Sequence, residues 1–392
     1  MKQLTSRQIS VLTFLSIISI KLIILPSLIC KVSGNNAYIA FSFNLFADFL
    51  SLFAYFWFMK KYPNLTFKEA LIQVFGKVVC KIIFALLFFY FFIKAIIIFK
   101  EIQNYFNRVL FDDFGWINYI IPSIILMAFM VSKPLKTFGR SAEALYYFVF
   151  ASALLVLVTS SYEIDFACIL PFMQNGIKPI MQGMFKSTFA FGDYLFILLY
   201  LGNIKFSKNG KKTMIIYSIV SIILMSAIFI IFIGTFGKSA VNENLALSDI
   251  SLNLAIPLTV GRIDWINILI WSFLLFFQCA LVLKSVVICF EEFTGIKNKI
   301  ISMSGIFIFY LILVSIEKLS LSIVLQFITS TPFVIFASFI QMGYPGILVL
   351  CGIVLKKRNF KSIRTTFTLN RPLFRLVLQQ NTISNKKKLK EN

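Results

Sequence analysis

Two stretches decide the fold: Ser16–Pro26, SIISIKLIILP, and Lys186–Phe196, KSTFAFGDYLF. Each lies inside an apolar run long enough to cross a bilayer, and each carries a charge near its middle. Lys21 sits about 15 Å from either end of its run at 1.5 Å per residue. Asp193 follows Gly192 directly. A charge at the bilayer centre costs at least ~2.5–3.5 kcal/mol. A glycine beside such a charge suggests backbone opened around a cavity. Blander readings stand beside these. Gly192 could serve close helix packing alone, Asp193 could end a helix if the boundary shifts, and Lys21 could snorkel.

Outward from these stretches, the composition points the same way. Of 392 residues 59% are hydrophobic and 14% charged, with a mean hydropathy of +0.88. Soluble chains are about 45–50% apolar and about 25% charged. One soluble core cannot hide this excess, so the chain reads as a polytopic membrane protein. Phe occurs 47 times and Gly 17 times, which makes the lipid-facing surface bulky and aromatic.

Ten spans of about 17–25 mainly apolar residues are predicted, at roughly 9–30, 37–59, 79–99, 117–132, 142–161, 181–203, 213–236, 265–289, 300–317 and 332–355. A half-span is expected at Leu319–Thr331. The first run lacks a small-residue cleavage site and reads as a retained helix, not a signal peptide. Lys60, Lys61, Lys68 and Lys77, then Lys133, Lys136 and Arg140, then Lys205, Lys208, Lys211 and Lys212 mark alternate loops. The opposite loops hold Asp112, Asp113, Glu163, Asp165, Glu243 and Asp249. By the positive-inside rule both termini are cytoplasmic.

The formal charge is +22, and residues 356–392 supply eleven basic and one acidic residue, or +10 of it. This basic cytoplasmic tail faces anionic headgroups or only enforces topology. Its placement argues for a membrane partner and against nucleic acid.

Whole classes of chemistry are missing. With no histidine, Ser-His-Asp and Cys-His catalysis and histidine-ligated metals are excluded. The six cysteines form no CxxC pair and read as buried hydrophobes. No GxxxxGK(S/T) or GxGxxG loop is present. No cofactor, no metal and no enzymatic activity are expected.

Ten spans divide as five plus five, and an odd number per half makes the halves antiparallel, the arithmetic of an inverted-repeat transporter. Spans 1 and 6, the corresponding first helices, then share an irregularity around Lys21 and Gly192-Asp193. Asp48, central in span 2 with Asn44 one turn before it, is a rival partner for Lys21 or faces a water-filled vestibule. Lys94 and Lys284 lie nearer the ends of spans 3 and 8 and are expected to snorkel.

Several motifs carry a family resemblance. They are LTSRQISVLTFLSII with IILP, Arg140-Ser-Ala-Glu143 before span 5, ILPFMQNGIKPIMQG from Ile169 to Gly183, Phe191-Gly192-Asp193, and Arg262-Ile-Asp264 followed by Trp271. Their order, spacing and placement resemble the endospore germination permeases, the B subunits of spore germinant receptors, within the amino acid–polyamine–organocation superfamily. Ser19-Ile20-Lys21 stands where that family often breaks span 1 with glycine, and Asp193 stands where its acid is usually glutamate.

The resemblance implies an all-α membrane protein of about ten transmembrane helices, a LeuT-like five-plus-five inverted repeat with broken helices 1 and 6. Residues 1–355 would form the permease-like domain, with repeat one at about 9–161 and repeat two at about 181–355. It also implies a germinant-sensing role at the spore inner membrane, beside a larger membrane subunit and a lipoprotein. An amino acid or nucleoside would bind at the midplane against Ser19, Ile20, Lys21, Phe189, Phe191, Gly192 and Asp193. Lys21 and Asp193 are expected to pair. Arg140 with Glu143, and Arg262 with Asp264, are either structural or gates. A proton-coupled amino acid transporter is the alternative, and a membrane transferase is the weakest reading.

Overall fold

A computed structural model describes residues 3–23, 25–62, 65–109, 116–161, 164–170, 172–173, 176–243, 246–252, 264–296, 298–316 and 320–354. The basic tail and Arg262 lie outside the described residues, as do Asp112, Asp113 and Glu163.

The chain is helical almost throughout. In order come α1 (Ser6–Ile18), α2 (Leu25–Ser33), α3 (Ala37–Lys61), α4 (Phe67–Phe75), α5 (Lys77–Val109), α6 (Trp116–Ser132), α7 (Leu135–Ser160), α8 (Ile177–Lys186) and α9 (Leu195–Leu199). Then follow α10 (Gly210–Phe236), α11 (Ala246–Leu252), α12 (Asp264–Thr294), α13 (Lys299–Ser315), α14 (Leu321–Ile328), α15 (Thr331–Ser338) and α16 (Tyr344–Val354). One exception to an all-α chain is a two-residue parallel pair, β1 (Leu4–Thr5) beside β2 (Ile204–Lys205).

Among the described residues, six segments are long and apolar enough to cross a membrane: Leu25–Lys61, Lys77–Asn107, Leu135–Ser160, Gly210–Val241, Trp265–Thr294 and Thr331–Ile353. The other four predicted spans coincide with α1–α2 and α8–α9, which are interrupted, and with α6 and α13, which have 17 residues each. The expected half-span appears as α14, a helix of eight residues.

Local signals explain the boundaries. Thr5 and Gln8 form a capping box at α1, with Thr5 Oγ1 accepting from the Gln8 N–H at 3.2 Å and Gln8 Oε1 from the Thr5 N–H at 3.1 Å. Thr66 and Glu69 repeat the device at α4. The start of α1 is tied to the β2 turn by Ser6, whose Oγ accepts from the Ser207 N–H at 2.7 Å.

Every residue of α1 except Arg7, and all five of α9, are buried. A helix buried all round belongs inside a bundle, and α1 packs on α10 and α7. By contrast α3 has two faces. Phe43, Phe46, Leu50 and Phe53 make an exposed stripe, while Asn44, Asp48, Ser51 and Tyr55 are buried. Apolar outside and polar inside is the arrangement lipid favours. The α12 helix lies along α5, and α2 packs on α8 at the end of the molecule away from the β pair.

Candidate functional site

The two opening stretches both break, and they meet. In the first, α1 ends at Ser19, whose N–H bonds Leu15 O at 3.2 Å and whose hydroxyl donates to Ser16 O at 3.3 Å. A 3₁₀ turn, Ile20–Leu22, carries Lys21 before α2 begins. The Ile23 carbonyl freed by the interruption accepts from the Ala246 N–H at 3.0 Å. In the second, α8 runs into a 3₁₀ turn, Thr188–Ala190, then extended Phe191 and Gly192 at φ +81° before α9.

Backbone groups exposed by a break inside a membrane protein must find partners. Here neighbouring side chains supply them. Asp48 on α3 accepts from the N–H groups of Gly192 at 3.1 Å and Asp193 at 3.2 Å. The Phe191 carbonyl accepts from Tyr90 Oη at 2.6 Å and Lys94 Nζ at 2.9 Å, both on α5. Asn44 Nδ2 donates to Met184 O at 2.7 Å and Ser187 Oγ at 2.8 Å, closing the end of α8. Gly192 is required twice over. Its φ lies in the left-handed region, and a Cβ there would sit 2.5 Å from Tyr90 Oη.

Around this frame four charges gather, all at most 4% exposed: Lys21, Asp48, Lys94 and Asp193. Lys21 Nζ pairs with Asp193 Oδ2 and donates to Ile17 O at 3.1 Å. It also lies 5.1 Å from the Phe191 ring centroid. Lys94 Nζ lies 3.0 Å from Asp193 Oδ1. Two cations and two anions make the ionised cluster neutral, which buried charges require. Asp193 is its hub.

Two expectations change here. Lys94 does not snorkel; it is the second cation on Asp193. The predicted span 3 stopped at residue 99, before Lys100 and Glu101, whereas α5 continues to Val109, so Lys94 lies at mid-helix. Its position one turn after Tyr90 on the same face was the sequence signal available. Among the described residues Asp48 forms no ion pair with a lysine; its two oxygens cap the second break. Lys284, also expected to snorkel, is held by backbone carbonyls. It reaches out of the apolar region, but to the Val131 and Lys133 carbonyls at 2.7 and 2.6 Å.

The remaining predicted residues divide. Ser19, Phe189 and Phe191 are buried beside the cluster, with the Ile20 backbone in the 3₁₀ turn. Glu143 does not pair with Arg140, which is exposed. It lies 3.8 Å from Arg7 Nε and accepts from Gln8 Nε2 at 3.3 Å. That pairing ties α7 to the start of α1. Arg262 lies outside the described residues, and Asp264 begins α12. Trp271 donates to Ser152 Oγ at 3.1 Å, joining α12 to α7.

A cavity of about 10 Å³ touches the cluster, between Ser16, Lys94, Asp193, Gln278 and Ser285 among others. That is room for about one water.

Comparison with known proteins gives two matches. Residues 3–322 match the sequence model of a family described as spore germination protein. The Spore germination protein KB of Bacillus subtilis (strain 168) is 24% identical over 217 residues, 54% of this chain. The match spans 57% of that relative's length, under two thirds of it. With the family match running along most of the chain, this protein belongs to the spore germination permease family.

Proposed function

We propose that the chain is the permease-like, germinant-sensing subunit of a spore germination receptor. The observation that carries this is the meeting of two broken helices around a neutral, buried four-charge cluster, in a chain of this family. Broken helices beside a closed cavity are the architecture of a small-molecule site. The ten-span, five-plus-five LeuT-like arrangement accounts for the pair α1–α2 and α8–α9 as equivalent first helices of repeats at about 9–161 and 181–355. Both termini lie on the cytoplasmic side of the spore inner membrane, as the loop charges require. The chain works with a larger membrane subunit and a lipoprotein and carries out no enzymatic step.

The sensing step is a population shift. A germinant such as an amino acid or a nucleoside lodges between helices 1 and 6, against Ser19, Ile20, Phe189, Phe191 and Gly192. The cavity against Lys94, Gly192 and Asp193 has room for about one water, so the germinant enters only if the Lys21–Asp193 contact rearranges. Its effect on the two arrangements cannot exceed its differential affinity for them. Partner subunits read the open arrangement.

The test is germination of spores carrying Gly192→Leu at normal protein level. Loss of response to every germinant is expected. A fully responsive variant would show that the pocket lies elsewhere.

A further inference from the structure

A second cavity lies away from the charge cluster. A cleft of about 500 Å³ opens between α2, α5, α8 and α14, at the end of the molecule away from the β1–β2 pair. Small-molecule sites fall at about 300–1,000 Å³, so the cleft is of the right size. It lies beyond the two breaks. Lys31 is ten residues past Lys21 and Lys186 is seven before Asp193, each on the far side of its break.

Its lining is chemically one-sided. Lys31 and Lys186 contribute cations from the two broken helices, and no described lining residue is acidic. Neither lysine has an ion pair among the described residues. Asn104, Gln326 and Thr329 add neutral hydrogen-bonding groups, and Leu325 adds an apolar patch. One turn before Asn104 on α5, Glu101 is 2% exposed, and its Oε2 has no hydrogen-bond partner among the described residues. A buried carboxyl oxygen without a partner is costly unless a ligand completes it. Glu101 stands on the same stripe of α5 as Lys94, seven residues earlier, so it lies between cleft and cluster.

We propose that this cleft is a second, outer binding site for a small zwitterion of amino-acid size. The carboxylate lies between Lys31 and Lys186, and the ammonium points down α5 towards Glu101. Amine-free anionic headgroups such as phosphatidylglycerol share the carboxylate's attraction to the two lysines, but they offer no cation to Glu101. The site goes beyond the sensing role proposed above and is measured by binding alone.

The test uses the full-length protein in nanodiscs of zwitterionic lipid, with L-alanine, L-leucine and L-glutamine as probes. Their carboxamide and des-amino analogues, inosine and glucose complete the panel. At least one amino acid should bind, its carboxamide at least about tenfold more weakly, since a charge-assisted hydrogen bond contributes that much. Lys31→Gln with Lys186→Gln should reduce the acid to the amide's affinity, and the paired arginine variants should retain binding. Glu101→Gln should bring the amino acid and its des-amino analogue to similar affinities. Equal affinity for acid and amide, discrimination that survives the double glutamine variant, or no amino acid bound at all would each overturn the proposal. So would a lysine-dependent stabilisation that appears only when anionic lipid is added and that amino acids fail to compete. A nucleoside or sugar whose binding needs Gly192 but ignores both lysines removes the outer site and leaves the sensing role standing.

Discussion

Asp193→Leu should be the most damaging single substitution in the centre of the molecule. Its carboxylate takes both ammonium groups, Lys21 on Oδ2 and Lys94 at 3.0 Å on Oδ1. Without it two buried lysines keep only the Ile17 and Phe191 carbonyls. Removing one member of a buried pair costs about 3–5 kcal/mol. Here one truncation strands two cations, so the loss should reach at least the upper end, about 5 kcal/mol. Lys21→Met should cost nearer 3 kcal/mol, because Asp193 keeps Lys94. The double variant leaves Lys94 and Asp48, one charge of each sign, and should therefore cost about 2–3 kcal/mol less than the sum of the singles. Unfolding free energies of the four proteins in mixed micelles close the cycle. Asp48→Leu added to Lys21→Met should deepen the loss instead, since it strips the partners from the Gly192 and Asp193 N–H groups. A Lys21–Asp193 coupling below about 0.5 kcal/mol refutes the hub. So does rescue of Lys21→Met by Asp48→Leu when Asp193→Leu gives none.

Gly192→Ala should lose about 1–2 kcal/mol from its left-handed φ alone and more from the Cβ facing Tyr90 Oη; adding Tyr90→Phe should relieve only the second part, as thermal unfolding would show. Arg7→Gln should cost under about 1 kcal/mol, because the pair with Glu143 is partly exposed. Exchanging charges between Arg7 and Glu143 should preserve expression, whereas exchanging Arg140 and Glu143 should give no rescue of either single reversal. In a Cys168→Ser background, cysteine at Asn242 should react with an impermeant thiol reagent from outside and cysteine at Asn209 should not; labelling at Asn209 would reverse the orientation.

The helical spans were legible because lipid leaves few options. Runs of 17 or more apolar residues must be helical to satisfy their own backbone, and the charges at Lys21 and Asp193 stood out against that background. The same logic failed at Lys94. A Lys-Glu pair at residues 100–101 looks like a span end, yet Lys100 is spent on the Val314 carbonyl at 3.1 Å, and the helix continues. Charge within a span is therefore a poor end marker when neighbouring helices supply partners. Asp48 was visible as a central acid, but its role was not. Its partners are backbone N–H groups, and a sequence does not show which peptide groups a break will free. Glu143 illustrates a third limit. A carboxylate three residues after an arginine on a helix suggests a local pair, but Arg7 arrives from another helix with the Thr5–Gln8 cap.

The same accounting constrains how sensing could work. The second break is held open by side chains of α3 and α5, so it cannot close or widen alone. Asp48 fixes the Gly192 and Asp193 N–H groups to α3, and Tyr90 and Lys94 fix the Phe191 carbonyl to α5. A ligand entering the space beside Lys94, Gly192 and Asp193, now fit for about one water, must loosen an Asp193 ion pair or turn the neighbouring Phe191 peptide. Either change alters what Asp193, Asp48 and Lys94 hold. To move a population from 1:99 to 99:1, the ligand must prefer the open arrangement by about 5.5 kcal/mol. That is close to the ~3–5 kcal/mol at stake in one buried ion pair. Exchanging the Lys21–Asp193 contact for a ligand contact thus has the right scale for a switch, while losing it uncompensated does not. A ligand that leaves Asp193 with one cation and supplies the missing contact itself shifts the equilibrium; one that only fills space cannot. Germinant analogues lacking the group that faces Lys21 or Asp193 should bind far more weakly and elicit no response.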